Sequence, residues 1–312
     1  MTIKRDHGGG LDAAIRHFGG QRADWIDLST GINPLAYHVP DLSEQSWTAL
    51  PDTGLTEDLN AAARTFWNVP EGADVLAAPG ASALIAQIPR LKAAASVRIT
   101  HPTYNEHAAS FANCDWHIQC DGEAQAQVIV HPNNPDGRLW TASDLSTSLK
   151  IIDESFCDVA PEHSLVSHAA EQGTIVLKSF GKFWGLAGLR LGFAIGDPAL
   201  IGQLREMLGP WAVSGVALEV GAHALRDETW AKATRERLAR DSDRLDALIC
   251  NQGASFLGGT ALFRLYEVDD AAAWQDQLAR HHIWTRIFPY ADNWIRLGLP
   301  APDAWDRLEV AF

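Results

Sequence analysis

The segment around Lys182 holds the side chains best suited to chemistry in this sequence. A β-prone run, Thr174 to Leu177, leads into Ser-x-x-Lys, and Arg190 follows in a Gly-Leu-Arg-Leu-Gly frame. A lysine presented by a strand, with its pKa lowered by burial, is the usual amine for Schiff-base chemistry. Ser179 and Arg190 supply a hydroxyl and a guanidinium that can bind a phosphate. The segment therefore predicts a pyridoxal phosphate site, with Lys182 as the attachment point.

Ser-x-x-Lys by itself allows two other interpretations. The lysine could simply stand on the surface after a strand. The serine could instead be a nucleophile like that of the penicillin-recognising enzymes, which also require Ser-Asp-Asn and Lys-Thr-Gly tripeptides. Neither tripeptide occurs in the sequence, so the nucleophile hypothesis fails. The surface interpretation has to be weighed against the motifs upstream.

Two upstream segments supply what this cofactor requires. The run Leu149–Ile152 predicts a strand that ends at Asp153, and the C-terminal ends of such strands face the crevice where ligands of α/β sheets bind. A carboxylate paired with the pyridine nitrogen keeps it protonated, which makes the ring an electron sink. The turn Pro-Asn-Asn-Pro-x-Gly, which contains Asn134, follows the predicted strand Gln127–His131.

Earlier in the chain, a strand, a small-residue turn and a helix start follow one another. Ser82 and the amides of Gly80 and Ala81 would form an anion site there. Tyr104 stands where an aromatic ring could stack on the cofactor. Short apolar runs alternate with helical stretches, which predicts a parallel, doubly wound sheet. These predicted strands lie at 75–78, 97–99, 127–131, 149–153, 174–178 and 190–195.

The order of these motifs resembles the class I and II aminotransferase superfamily, the fold-type-I pyridoxal phosphate enzymes. The matching segments are Gly-Ala-Ser, Pro-x-Tyr, Pro-Asn-Asn-Pro-x-Gly, Asp-Glu-x-Phe, Ser-x-x-Lys and Gly-Leu-Arg-Leu-Gly. The resemblance implies an α/β fold, with a mostly parallel sheet flanked by helices in a large domain and a smaller C-terminal α/β domain. It implies an N-terminal segment 1–35 that contributes to the substrate pocket and the small domain, a cofactor domain 36–208 and a small domain 209–312.

The resemblance also implies a role for each matched residue. Lys182 is expected to form the Schiff base, Asp153 to bind the pyridine nitrogen, Asn134 to bind the ring 3-oxygen and Tyr104 to stack on the ring. The cofactor phosphate is expected to contact Gly80, Ala81, Ser82, Ser179 and Arg190.

Three further segments indicate one branch of the superfamily. The opening His-Gly-Gly-Gly, the segment from Trp25 to Pro34 and the dipeptide Pro210-Trp211 resemble the cobalamin-biosynthetic threonine-phosphate decarboxylases. That resemblance implies decarboxylation of O-phospho-L-threonine to (R)-1-aminopropan-2-ol phosphate, a small phosphorylated amino acid being the substrate. The residues expected to bind it are His7, Gly8, Gly31, Asn134, Arg286 and Arg296.

Two other functions stay open at the level of sequence. Histidinol-phosphate aminotransferases would use the same cofactor residues and pass the amino group to 2-oxoglutarate. A ligand-sensing regulator with an aminotransferase-like fold would carry a DNA-binding domain, for which the residues before His7 leave no room. Three positions also depart from the expected pattern. Leu50 and Phe156 stand where many relatives have tyrosines, and Gly31 stands where the decarboxylases often have asparagine.

Composition narrows the partners. A net charge of −14 opposes binding to nucleic acid. The sequence contains no run of about 18 apolar residues, so no membrane span is predicted. The polar start Met1–Asp6 predicts no signal peptide, and the four cysteines lack the spacing of a metal site or a disulfide framework. We therefore expect a cytoplasmic enzyme without a metal, and the family resemblance implies a homodimer.

Overall fold

The structure is a computed structural model that describes residues 7–312, so the predicted absence of a signal peptide at Met1–Asp6 lies outside the described residues. Its contacts divide the chain into two compact units. Unit 1 comprises the described residues up to Leu35, together with 135–137 and 234–312, and unit 2 comprises 36–134 and 138–233. The sequence-based division at 35/36 and 208/209 stays a prediction.

The described chain contains the following strands and α-helices. The strands are β1 (Ile26–Asp27), β2 (Asp74–Ala78), β3 (Ser96–Ile99), β4 (His117–Gln119), β5 (Ala126–Val130), β6 (Leu149–Asp153), β7 (Thr174–Ser179), β8 (Gly192–Gly196), β9 (Ser255–Thr260), β10 (Phe263–Glu267), β11 (Ile283–Trp284), β12 (Arg286–Phe288) and β13 (Ala291–Gly298). The α-helices are α1 (Leu11–Phe18), α2 (Gln45–Thr48), α3 (Thr53–Phe66), α4 (Ala81–Gln87), α5 (Asn105–Ala112), α6 (Pro198–Leu208), α7 (Gly215–Arg226), α8 (Glu228–Asn251), α9 (Ala271–Arg280) and α10 (Trp305–Val310). None of the described helices combines the length and the apolar character that crossing a membrane requires.

Unit 2 is built around a seven-stranded sheet in the order β2-β8-β7-β6-β5-β3-β4. The strands from β3 to β7 run parallel, whereas β8 is antiparallel to both β2 and β7. Every residue of β5 is buried, as expected for a strand whose sheet is covered on both faces. The predicted α/β fold with a mostly parallel sheet is confirmed, and the six predicted strands correspond to β2, β3, β5, β6, β7 and β8.

Helix α7 belongs to unit 2 because it packs along α3. Its first turn is capped by Ser214, whose hydroxyl accepts a hydrogen bond from the amide of Ala217 at 3.2 Å. A Cβ atom added to Gly221 would lie 2.9 Å from Leu59 and 2.5 Å from Leu191, so a small residue allows the two helices to approach. Residues 209–233, which include α7, therefore belong to unit 2.

Unit 1 contains an antiparallel sheet in the order β12-β13-β10-β9 and the parallel pair β1-β11. Helix α1 packs against α9. A small core of Leu11, Ala14, Trp25 and Ala279 joins the N-terminal helix to the C-terminal part of the chain. Residues at the two ends of the sequence therefore share one unit.

Candidate active site

Three of the predicted phosphate ligands, Gly80, Ser179 and Arg190, meet at one edge of the unit 2 sheet. Gly192, at the start of β8, pairs with Ala78 of β2 on one side and with Ser179 of β7 on the other. The turn after β2, the end of β7 and the residues before β8 are therefore neighbours. A Cβ atom added to Gly80 would lie 2.4 Å from Nη2 of Arg190, so glycine leaves the space that the guanidinium fills.

The backbone at this edge of the sheet adopts conformations with positive φ angles. Gly80 has a φ of 84° and Arg190 a φ of 55°, a left-handed conformation that costs a residue with a side chain about 1 kcal/mol or more. A Cβ atom added to Gly192 would lie 2.4 Å from the amide nitrogen of Ala81. Ser82 follows in the first turn of α4 and is exposed. A hydroxyl, a guanidinium and backbone amides thus come together in a cradle that fits an anion.

Asp153 ends β6 and is buried. Its Oδ2 lies 2.8 Å from Nε2 of His107, and its Oδ1 accepts hydrogen bonds from the amide of Ser155 at 3.0 Å and from its hydroxyl at 2.5 Å. Burial favours the neutral acid, but the hydrogen bonds from His107 and Ser155 outweigh it and hold the pKa of Asp153 below its usual value. An ionised carboxylate is the partner that a protonated pyridine nitrogen requires.

Sequence reasoning missed His107. It lies on the buried side of α5, and its ring meets that of Tyr104 edge to face, with centroids 6.1 Å apart. Tyr104 and Asp153 are therefore linked through one imidazole. The signal that could have found His107 is its position three residues after Tyr104, because residues spaced by three face the same way where a helix begins.

The two asparagines of the Pro-Asn-Asn-Pro turn differ in burial. Asn133 is fully buried, its Oδ1 accepts a hydrogen bond from Thr103 at 2.6 Å, and its Nδ2 donates to the carbonyl of Pro102 at 2.9 Å. Asn133 thus fixes the turn on the neighbouring loop. Asn134, the predicted ligand of the ring 3-oxygen, is half-buried.

Two lysines stand four residues apart, and the structure separates their roles. Lys182 is half-buried, with Nζ 5.2 Å from the centre of the Phe156 ring. Lys178 is 1% exposed, and its Nζ lies 2.6 Å from Oε2 of Glu154 and 3.6 Å from Oδ1 of Asp158. Burial alone would lower the pKa of Lys178, but these two carboxylates raise it above its usual value. Lys178 therefore stays protonated, which leaves Lys182 as the candidate Schiff-base amine. The sequence predicts that this lysine is buried, whereas the structure shows it half-buried.

Aromatic rings support the loop that carries Lys182. Trp184 stacks on Phe180 at 5.2 Å with 13° between the ring planes, and on Trp230 at 5.2 Å with 12°. Its indole nitrogen donates to Oδ2 of Asp158 at 3.3 Å, and that of Trp67 donates to Oδ1 at 2.9 Å. Several of the protein's tryptophans thus hold the segment between β7 and β8 in place.

Unit 1 holds the predicted substrate arginines. Arg286 of β12 and Arg296 of β13 are directly opposite each other in the sheet. Burial, followed by the charge of Arg286, lowers the pKa of Arg296 to about 10. A pKa of about 10 leaves Arg296 charged at neutral pH, and like charges placed opposite each other in a sheet are destabilising. An anion bound by the two arginines would relieve that repulsion.

The other predicted substrate residues of unit 1 lie near the same strand. Nη2 of Arg296 donates to the carbonyl of Ser29 at 2.7 Å. A Cβ atom added to Gly8 would lie 2.4 Å from that same carbonyl oxygen. Gly31 follows two residues later and is buried, while His7 is exposed. The structure thus brings Gly8 and Arg296 to one peptide group.

A second cluster in unit 2 has the residue types of a metal site. His131, Glu154 and Cys157 are buried, and their candidate ligand atoms lie within 4.8 Å of one another. However, Nδ1 of His131 accepts a hydrogen bond from the amide of Trp140, and Nε2 lies 2.7 Å from the carbonyl of His163. Burial, together with the charge of Glu154, raises the pKa of the Cys157 thiol. The cluster therefore fits a hydrogen-bonded core better than a metal site.

Comparison with known proteins identifies the family to which the chain belongs. Residues 23–310 match the family described as aminotransferase class I and II. The chain belongs to this family. It is 39% identical to a threonine-phosphate decarboxylase of Sinorhizobium sp over 97% of this chain and 96% of that protein. It is also 39% identical to a threonine-phosphate decarboxylase of Pseudomonas aeruginosa, over 98% of this chain and 96% of the relative.

The fold is shared with a solved structure. The histidinol-phosphate aminotransferase from Sinorhizobium meliloti, determined in complex with pyridoxal-5'-phosphate, has a TM-score of 0.82 and 19% sequence identity. The match covers 99% of this chain and 94% of that one. The fold-type-I architecture expected from the motifs is confirmed.

The residues of unit 2 fit pyridoxal phosphate. Asp153 is held ionised, as the pyridine nitrogen requires, and the Gly80–Arg190 cradle fits a phosphate. Lys182 is the candidate amine in this segment, because the carboxylates beside Lys178 raise its pKa and keep it protonated. The individual roles of the site residues stay predictions.

Proposed function

We propose that this protein is a pyridoxal phosphate-dependent decarboxylase that converts O-phospho-L-threonine to (R)-1-aminopropan-2-ol phosphate in cobalamin biosynthesis. The observation that carries the proposal is the 39% identity to two threonine-phosphate decarboxylases over nearly the whole of each chain. The opposed pair of Arg286 and Arg296 supports it, because a phosphorylated substrate brings the negative charge that two neighbouring guanidiniums need.

The cofactor supplies an electron sink for the electron pair that stays on the substrate Cα when carbon dioxide leaves. Lys182 would attach the cofactor. We assign Lys182 as the donor of the proton that the Cα takes up in place of the carboxylate. Asp153, held ionised by His107 and Ser155, keeps a proton at the pyridine nitrogen. The phosphate of the cofactor would be held by Ser179, Arg190 and the turn at Gly80.

The choice of bond depends on how the substrate is oriented. A bound cofactor would weaken whichever Cα bond lies perpendicular to its conjugated ring, because the electrons of that bond would overlap the π system. If Arg286 and Arg296 hold the substrate phosphate, the carboxylate is free to take that perpendicular position and leave as carbon dioxide. Arginines that held the carboxylate in the ring plane would favour loss of the Cα proton instead, which is the first step of amino transfer.

We also propose that the enzyme is a cytoplasmic homodimer. In unit 2, Trp47 is 70% exposed and Leu50 67% exposed, and large apolar side chains on a surface are typical of an interface. Leu50 stands where many relatives have a tyrosine that reaches a partner subunit. The four cysteines are free thiols, which suits a reducing compartment.

The direct test is incubation of the cofactor-loaded protein with O-phospho-L-threonine, without a keto acid, while the release of carbon dioxide is followed. We expect release of carbon dioxide and formation of the amino alcohol phosphate. A parallel sample receives histidinol phosphate and 2-oxoglutarate. Amino transfer in that sample without carbon dioxide in the first would overturn the proposal in favour of histidinol-phosphate aminotransferase.

A further inference from the structure

Ser29 connects segments of unit 1 that are far apart in sequence. Its hydroxyl accepts a hydrogen bond from the amide of Gly9 at 2.6 Å and donates to Oδ1 of Asp27 at 2.5 Å. Its carbonyl accepts from Nη2 of Arg296 at 2.7 Å. The residue is only 1% exposed, so water does not compete for these bonds. Ser29 thus binds the N-terminal turn with its side chain and strand β13 with its backbone.

Two glycines let neighbouring backbone segments approach Ser29 closely. A Cβ atom on Gly8 would lie 2.4 Å from the carbonyl oxygen of Ser29, and one on Gly298 would lie 2.3 Å from that of Thr30. The amide of Gly298 also donates to the carbonyl of Leu28 at 2.6 Å. The peptide that follows Ser29 is therefore held between the N-terminal turn and the end of β13.

The carboxylate of Asp27 determines which hydrogen bonds the Ser29 hydroxyl can form. Its Oδ1 accepts from both the amide of Ser29, at 2.9 Å, and the hydroxyl. Because the hydroxyl hydrogen is committed to the carboxylate, the oxygen presents a lone pair to Gly9. The carbonyl of Gly9 in turn accepts from the indole nitrogen of Trp284 at 2.9 Å, so this glycine is bound on both sides of its backbone.

We propose that Ser29 is a positioning residue for the substrate phosphate. Its hydroxyl fixes the turn that contains Gly8, and its carbonyl orients the guanidinium of Arg296. This inference rests on the proposed function, in which Gly8 and Arg296 bind the substrate. Ser29 itself does not need to touch the substrate. Its effect is to place two groups from opposite ends of the sequence at one anion site.

The chain provides a matched comparison. Ser155 forms the same local turn with Asp153, since its amide and hydroxyl donate to Oδ1 at 3.0 and 2.5 Å. The two Asp-x-Ser turns therefore have similar hydrogen bonds in different places. Ser155 adjoins the predicted cofactor carboxylate, whereas Ser29 adjoins predicted substrate residues. Removing each hydroxyl should affect different quantities.

The experiment compares Ser29→Ala, Ser155→Ala and the exposed-site control Ser255→Ala in the cofactor-loaded enzyme. For Ser29→Ala we expect the KM for O-phospho-L-threonine to rise about tenfold while kcat changes less than about twofold. Its visible cofactor spectrum should match that of the wild type. Ser155→Ala should instead change the cofactor spectrum and its pH dependence. Trp284→Phe, which removes the other hydrogen bond to Gly9, provides a second variant that should raise KM if Ser29→Ala folds poorly.

Two results would overturn the proposal. One is a wild-type KM in both Ser29→Ala and Trp284→Phe. The other is a parallel loss of kcat, cofactor and thermal stability in both variants, which would mean a general structural role. If the wild type does not act on O-phospho-L-threonine, the proposed function fails separately. The positioning role is then measured with inorganic phosphate alone by calorimetry, where Ser29→Ala should weaken the Kd about tenfold and an unchanged Kd would refute it.

Discussion

Replacing Lys178 with methionine should destabilise the protein by about 3–5 kcal/mol, the usual cost of removing one partner of a buried ion pair. Methionine fills a similar volume but leaves Glu154 and Asp158 without the ammonium that lies 2.6 Å and 3.6 Å from their oxygens. Glu154 keeps hydrogen bonds from the Ser164 hydroxyl and the Leu165 amide. These remaining donors favour the lower end of the range.

The loss should depend on pH in a defined direction. Without the ammonium, the buried carboxylates would have pKa values above those of the unfolded chain. An acid of this kind binds more protons in the folded state, so the variant should lose stability as the pH rises and approach the wild type as the pH falls from 8 to 5. A loss caused by packing alone would not change in this way.

Thermal and urea unfolding of the cofactor-loaded protein, followed by tryptophan fluorescence, would measure the effect. At about 2–4 °C per kcal/mol for a domain of this size, the melting temperature should fall by about 6–20 °C. Lys150→Met is the matched control, because Lys150 pairs at 2.8 Å with Glu171, whose side chain is 50% exposed. That pair should contribute less than about 1 kcal/mol.

Two further observations bear on the reasoning. The double variant Lys178→Met with Glu154→Gln should recover part of the lost stability, since one of the two orphaned charges is removed. Lys178→Met should also keep the visible absorbance of the bound cofactor, because Lys182 is intact. A destabilisation below about 1 kcal/mol, or one that does not vary with pH, would refute the role assigned to the buried pair.

Three other predictions follow from the candidate site. Lys182→Ala should abolish the visible cofactor absorbance and lower kcat by more than about a thousandfold, with thermal unfolding showing a retained fold; turnover at the wild-type rate would contradict the site assignment. Arg296→Ala should raise the KM for the phosphorylated substrate roughly ten- to a hundredfold in steady-state assays, and loss of bound cofactor would show that Arg296 is misplaced. Burial lowers the pKa of His131, so the folded state binds fewer protons than the unfolded chain, whose histidine titrates near about 6.5. Stability should therefore fall as the pH drops from about 6.5 to 5, and His131→Gln, which keeps a donor and an acceptor, should flatten this dependence of the urea midpoint.

Local patterns in the sequence were sufficient to predict the fold class and the family. Strands such as β5 and β6 appear as continuous apolar runs, and the polar residues that follow them lie at the same edge because parallel strands end together. The candidate cofactor residues were predicted for this reason. Their ordered spacing along the chain also predicted the superfamily, which the family match over residues 23–310 confirms.

Contacts between distant residues could not be inferred from these patterns. His107 meets Asp153 across 46 positions, and Arg296 meets Ser29 across 267, and neither pairing has a local periodic signal. The sequence also does not say which of the two lysines near β7 is buried, because that depends on where Glu154 and Asp158 place their carboxylates.

The arginine pair shows the same limit most clearly. The sequence by itself determined that Arg286 and Arg296 are cations suited to an anionic substrate. Only the tertiary structure decided that they stand opposite each other, because antiparallel register depends on how the chain turns between β12 and β13 and on the irregularity at Ile287 and Phe288. A shift of one residue would turn one guanidinium to the other face of the sheet. The residue types therefore set the chemistry that is possible, and the strand register sets whether the two charges act at one place.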